Sequence, residues 1–249
     1  MPIPGPGRKV APGGGGIISL ARCRSGPGAL LDLAAMLTSV GILVVSFLLG
    51  MRHATDADHV VAVTTIVSRQ RSLPKAASIG ALWGLGHTLT LLAVGGAMII
   101  LKLAMPPWLG LTLELVVAVM LVVLGVVSVI GGKRSERMID SSARPVIVGT
   151  IHGMAGSAAF TLLALPLIAS PLLAAGYLVL FGIGTIAGMV VVTIAIALPS
   201  LYASRHIDGA RQVLRFAAGF ASIAFGLYLA HHIGFTDGLF TGNPIWTPR

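Results

Sequence analysis

Residues 53–59, which read His53-Ala54-Thr55-Asp56-Ala57-Asp58-His59, decide how this chain folds. They place two imidazoles and two carboxylates inside an otherwise apolar run from Leu30 to Val67. An Asp at the centre of a membrane helix opposes insertion by roughly 2.5 to 3.5 kcal/mol. A chain that keeps two of them in such a run, next to Arg52, needs a compensating partner. A bound cation is the simplest one.

Composition assigns the chain to the membrane. Of its 249 residues, 55% are hydrophobic and only 10% are charged, whereas a soluble domain carries about 25% charged residues. The net charge of +9 comes from Lys and Arg in short loops, a pattern that orients membrane proteins and does not indicate nucleic-acid binding. The single cysteine, Cys23, forms no internal disulfide, so a metal site in the core must use imidazole, carboxylate or backbone ligands.

These observations predict an all-α, multi-pass membrane protein with about six transmembrane helices. A spanning helix needs about 20 mostly apolar residues. Pro and Gly dominate residues 1–29, which predicts a disordered tail, followed by a transmembrane domain at 30–234 and a short C-terminal tail at 235–249. The six apolar segments lie near residues 30–67, 76–103, 111–130, 145–169, 172–201 and 213–233.

The loop charges predict the orientation of the chain. Basic residues concentrate at 69–75, 133–144 and 205–215, and the alternate loops carry almost none. Such loops lie on the cytoplasmic side. Six crossings would then place both termini outside, although the tail before Leu30 is basic. Either that tail is not part of the mature protein, or the run at 30–67 crosses twice as two helices of about 18 residues.

A faint repeat runs through the apolar segments. Gly50, Gly84 and Gly149 each precede a histidine by three residues, in the pattern Gly-x-x-His. A glycine one turn from each histidine allows another backbone or an ion to approach closely. If the six segments divide three plus three, this is the pattern of an inverted repeat, whose sites lie near the midplane on broken helices.

The spacing within 53–59 limits how these residues share an ion. On an ideal helix His53, Asp56 and His59 form one slanting stripe, but the two histidines are separated by about 9 Å of rise. They cannot both lie about 2 Å from one ion on an unbroken helix. Either the helix is interrupted, or the histidines serve successive positions on a path. Imidazole with carboxylate suits Ni, Co, Zn, Cu and Fe, whereas Mg and Ca would require more oxygen ligands.

Two further histidines are candidates for the same centre. His87 stands in Trp83-Gly84-Leu85-Gly86-His87-Thr88, and His152 precedes a run of small residues. A hydrogen-bonding role in the core is the alternative for His87, and close helix packing explains the small residues near His152 but not the histidine itself. Other polar residues stand near segment ends, where a structural role is expected: His231, His232, Glu114 and Asp32.

These motifs resemble a known family. Residues 52–60 are similar to the His-x-x-x-x-Asp-His signature of the nickel/cobalt transporter family, and Gly86-His87-Thr88 resembles its second motif. The six-segment plan and the stretch from His152 look more like its UreH-type nickel permease branch. The resemblance implies secondary import of Ni²⁺ or Co²⁺ across the cytoplasmic membrane. By that match His53, Asp58 and His59 select the metal, with His87 contributing.

The function expected is therefore a permease and not an enzyme, with a divalent transition-metal ion as substrate, the bilayer as its surroundings and no resident cofactor. No Gly-x-x-x-x-Gly-Lys-Ser/Thr motif is present that would bind a nucleotide. An efflux carrier of the same fold is an alternative, but the loop from Lys133 to Arg144 has no histidine. An intramembrane metalloenzyme is a third hypothesis, and it would require a general base and a substrate-sized cavity beside the metal.

Overall fold

The structure is a computed structural model that describes residues 27–68, 70, 72–102, 105–130, 143–154, 168 and 170–246, with side chains from residue 36 onward. Contacts divide the chain into a unit ending at Thr38 and a main unit from Ser39 to Arg249. All regular secondary structure in the described residues is helical. The helices are α1 Pro27–His53, α2 Ala57–Val67, α3 Leu73–Leu101, α4 Pro107–Ile130, α5 Ala143–Met154, α6 Pro171–His206 and α7 Ala210–His231, with a π-helical turn at His232–Thr236.

The predicted all-α membrane architecture is confirmed. Five helical stretches in the described residues are long and apolar enough to cross a membrane, namely Met36–His53, Leu73–Leu101, Pro107–Ile130, Pro171–His206 and Ala210–Thr236. The predicted segment at 145–169 is described as α5 only as far as Met154. The count of six crossings and the inverted repeat therefore stay predictions.

The run at 30–67 is neither one straight helix nor two helices of about 18 residues. It forms α1 with 27 residues and α2 with 11. At 1.5 Å per residue α2 is only about 16 Å long, well short of a hydrocarbon core of about 30 Å. Thr64 and Thr65 donate their hydroxyls to the carbonyls of Val60 and Val61 one turn earlier, which satisfies these polar groups within α2.

Helix pairs around α3 build the framework. Helix α3 packs against α6 and α5, and α4 packs against α7. The short α2 packs against α4, α6 and α7. Val63, Trp83, Leu121 and Met189 are buried in one cluster that joins α2, α3, α4 and α6. This packing encloses the end of α1 and the start of α2, where the polar residues lie.

The C-terminal segment packs against the bundle. The indole of Trp246 donates a hydrogen bond of 2.8 Å to Glu114 on α4, and its ring covers Gly110. His232 lies 3.3 Å from Asp237, which is buried. The residues predicted as a short tail from 235 therefore fold back onto α4 as far as Trp246. Glu114 has the structural role expected for it, and the side chain of Asp32 lies outside the described residues.

Candidate metal centre

The centre is built on an interruption of the helix. Helix α1 ends at His53, residues 54–56 form a turn, and α2 begins at Ala57. Asp56 is the residue before α2 and has an extended backbone, with φ −60° and ψ 147°. This is the interruption that a shared ion requires, since an unbroken helix would separate His53 and His59 by about 9 Å.

Two backbone carbonyls at the break accept hydrogen bonds from residues of the turn. The carbonyl of Arg52 accepts bonds from both the amide and the hydroxyl of Thr55, at 2.8 and 2.6 Å. The carbonyl of His53 accepts a bond of 3.0 Å from the amide of Asp56. An interrupted helix can offer freed carbonyls to an ion, but these two carbonyls are already engaged.

Four histidines from four helices meet at this point. His53 ends α1, His59 lies in α2, His87 in α3 and His152 in α5, and all four are buried. The ring of His59 is central, because its centroid lies 4.6 Å from that of His53, 5.3 Å from that of His87 and 4.1 Å from that of His152. The fold thus brings together the six residues predicted for the site: His53, Asp56, Asp58, His59, His87 and His152.

The two carboxylates orient three of these rings. Asp56 lies 2.7 Å from Nδ1 of His53, so Nδ1–H donates to it and Nε2 keeps its lone pair. Asp58 lies between two histidines: one oxygen is 3.2 Å from Nδ1 of His59, and the other is 2.9 Å from Nε2 of His152. A carboxylate that holds the far nitrogen of a ligating histidine is the usual second partner at metal sites.

Several ring nitrogens have no partner. Nε2 of His59, Nδ1 of His87 and Nδ1 of His152 are buried and make no hydrogen bond among the described residues. Leaving a buried polar group unpaired costs about 1–3 kcal/mol. Three such atoms within one centre indicate a site shaped for a ligand that accepts nitrogen lone pairs, and a transition-metal ion is such a ligand.

The spacing between donors fits metal ligation. Nε2 of His53 and Nε2 of His87 face each other at 3.2 Å. Two ligands bound tetrahedrally at about 2 Å from one ion lie about 3.3 Å apart, which is close to this separation. The donors form two sets, His53 with His59 and His87, and Asp58 with His59 and His152. Within each set all ligand atoms lie within 4.8 Å of one another.

The Gly-x-x-His pattern has a geometric cause. A Cβ on Gly50 would collide with the carbonyl of Phe181, and one on Gly149 would collide with the carbonyl of Trp83. A Cβ on Gly84 would lie 2.8 Å from the Cα of Ile186. The close backbone approach expected at these three glycines is confirmed, and each brings the histidine one turn later up to a neighbouring helix.

Each residue of Gly86-His87-Thr88 has a separate task. Gly86 allows α5 to approach, since a Cβ there would collide with the carbonyl of Val146. Thr88 donates a 3.1 Å hydrogen bond to the carbonyl of Gly182 on α6. His87, between them, points into the centre. The motif thus holds α3 between two helices while it presents one imidazole.

Sequence reasoning did not single out Trp83 as part of the centre. Its side chain is fully buried, its ring centroid lies 5.8 Å from that of His152 and 6.4 Å from that of His59, and its indole nitrogen has no partner in the described structure. Its position one turn before His87 on the same helix was the available signal. The histidines at the end of α7, His231 and His232, belong to neither donor set.

Apolar helices around a buried centre of imidazoles and carboxylates define a multi-pass membrane protein with a candidate transition-metal site. The chain is 32% identical over 218 residues to the urease accessory protein UreH of Bacillus sp. (strain TB-90), a match that covers 81% of this chain and 95% of that protein. The chain belongs to the nickel/cobalt transporter family, in its UreH-type nickel permease branch. No protein-family model matches the chain. No solved structure matches it either.

Proposed function

We propose that this protein imports Ni²⁺, with Co²⁺ as a second substrate, across the cytoplasmic membrane, and that the buried His/Asp centre selects the ion. The observation that carries the proposal is the convergence of four buried imidazoles, three of which have a ring nitrogen without a partner in the described residues. Two carboxylates hold the other nitrogens of His59 and His152 and one nitrogen of His53. Membership in a nickel permease branch supports the choice of metal. The basic loops support an orientation with residues 69–75 and 205–215 on the cytoplasmic side.

The membrane potential supplies enough energy for import. Moving one charge through 100 mV yields about 2.3 kcal/mol, so a divalent cation gains about 4.6 kcal/mol. The ion must still be removed from water, and the ligands compensate for that loss by replacing its hydration shell. The bound dication also compensates for the charges of the two Asp residues, which would otherwise oppose insertion.

The proposal is tested by radioactive nickel uptake in cells that express the chain and in cells that lack it. Expression should raise nickel accumulation, and His53→Ala or Asp58→Asn should abolish the increase at equal protein level in the membrane. His206→Ala is the matched control, because His206 is exposed and, among the described residues, donates its one hydrogen bond to the carbonyl of Tyr202 one turn earlier. Normal uptake by either centre variant would refute the assignment. Lower accumulation on expression would indicate export.

A further inference from the structure

The donors of the centre are arranged around His59 in two sets. One set contains His53, His59 and His87, and supplies nitrogen atoms alone. The other contains Asp58, His59 and His152, and supplies a carboxylate oxygen with nitrogen atoms. The His59 ring lies between those of His53 and His152, at centroid distances of 4.6 and 4.1 Å.

The two sets cannot be filled by two ions at the same time. Two dications held within one ring's width of each other repel strongly in a buried site. His59 already directs Nδ1 toward Asp58, while its Nε2 has no partner. One imidazole therefore presents a nitrogen on each of two sides and belongs to both sets.

We propose that the centre holds the transported ion at two successive stations, an all-nitrogen station of His53, His59 and His87 and an oxygen-containing station of Asp58, His59 and His152, between which His59 passes the ion. This inference rests on the proposed function. The inference extends the proposed function, because it assigns two overlapping ion sites to the centre in place of a single selective site.

Two stations solve a problem that one strong site creates. A site that surrounds an ion with all available donors binds it too tightly for release, whereas conduction needs several weaker sites in succession. Each station offers three protein ligands, and His59 belongs to both. As the ion leaves one ring nitrogen of His59 and binds the other, the ring proton moves to the nitrogen that the ion has left. The 2.9 Å contact between Asp58 and His152 is about as long as the separation of two adjacent ligands, so an ion can replace that hydrogen bond without a large movement.

The test crosses substitutions from the two sets in the purified full-length protein and measures equilibrium Ni²⁺ binding. His87→Ala impairs only the all-nitrogen station, and His152→Ala impairs only the oxygen-containing one. Asp58→Asn should therefore weaken binding by about tenfold or more beyond its effect in the His152→Ala variant when it is introduced into the His87→Ala variant. His53→Ala should weaken binding more when it is combined with His152→Ala than when it is combined with His87→Ala. The wild-type chain should bind one ion.

Uptake measurements separate this inference from the proposed function. His87→Ala and His152→Ala should each retain binding of one ion and lose uptake, because transfer needs both stations. If Asp58→Asn weakens Ni²⁺ binding equally in the His87→Ala and His152→Ala variants, the centre is one shared site and the proposal of two stations is wrong. A wild-type chain that binds nickel but does not raise its uptake would instead overturn import. Binding by His206→Ala at the wild-type level verifies that a histidine replacement outside the centre leaves the fold intact.

Discussion

At the scale of single residues, the centre depends on which nitrogen of each imidazole is occupied. Asp56 holds Nδ1 of His53 at 2.7 Å, which fixes the ring and leaves Nε2 directed at His87. Asp58 uses its two oxygens to hold His59 and His152. The carboxylates thus decide the direction of the lone pairs, which is as important for ligation as the presence of the histidines.

Asp56→Asn should lower nickel affinity and uptake about 10- to 100-fold, because the amide holds His53 less firmly and does not supply the charge that favours Nδ1–H donation. The loss should be smaller than that caused by His53→Ala, since the ligand itself remains. Titration of the purified protein with Ni²⁺ measures it, with Asp208→Asn, in an exposed turn, as the matched control. Affinity equal to that of the wild type would show that Asp56 does not position His53.

Sequence reasoning reached these residues but not their pairings. The three-residue steps from His53 to Asp56 and His59 follow from helical periodicity, and their unusual place in an apolar run marks them as functional. The pairing of Asp58 with His152 joins residues 94 positions apart on α2 and α5, so it depends on how the helices pack together. No local pattern contains that information.

Ion selectivity should follow from the nitrogen-rich donor set. Unlabelled Co²⁺ should inhibit labelled nickel uptake strongly, whereas Mg²⁺ and Mn²⁺ at the same concentration should not, since imidazole affinity rises from Mn²⁺ through Co²⁺ to Ni²⁺. Zn²⁺ and Cu²⁺ must be rejected by geometry, because raw affinity does not exclude them. A competition assay in whole cells measures this order. Strong inhibition by Mg²⁺ with none by Co²⁺ would show an oxygen cage in place of the imidazole site.

At the scale of helices, the break between α1 and α2 brings His53 and His59 to within 4.6 Å between ring centroids. The sequence predicted this break only on the condition that one ion is shared, because the apolar pattern continues through Val60 and Val61 without a proline or glycine to mark an end. The condition came from chemistry: two ligands on one ion cannot be separated by 9 Å of rise. Helix propensity alone would have extended α1 past the break.

The crossing of α3 with α5 should tolerate no side chain at Gly149. A Cβ there meets the backbone carbonyl of Trp83, which cannot move without shifting α3, so Gly149→Ala should destabilise the protein by about 1–3 kcal/mol. Its melting temperature in detergent should fall by several degrees, and uptake should fall because His152 lies one turn away. Gly96→Ala is the control, since no atom of the described residues lies within 4 Å of its Cβ position. Equal melting temperatures for the two variants would contradict the crossing.

At the scale of the whole molecule, hydropathy predicted the architecture well and its details less well. Long apolar segments near 76–103, 111–130, 172–201 and 213–233 correspond to α3, α4, α6 and α7, because a membrane span is encoded in its own composition. The division of residues 30–67 and the folding of Trp246 onto Glu114 depend on contacts between distant segments. Such contacts leave no mark in a hydropathy profile.

The N-terminal part of the chain should be dispensable for transport. Contacts separate residues up to Thr38 from the main unit, and the 18 residues Met36–His53 already form a span of about 27 Å, close to the thickness of the hydrocarbon core. All six residues of the candidate centre lie after Met36. A chain that begins at Met36 should therefore reach the membrane and take up nickel at the full-length rate, normalised to the amount of protein in the membrane fraction.

Removing the basic residues Arg8, Lys9, Arg22 and Arg24 also removes charge that conflicts with an outside N-terminus. Insertion with full uptake would support the orientation inferred from the basic loops. If the shortened chain fails to insert while a full-length chain with those four residues changed to Gln inserts normally, the segment before Met36 is structural and its charge is irrelevant. If both fail, the basic residues themselves orient the chain, and the inferred topology is inverted.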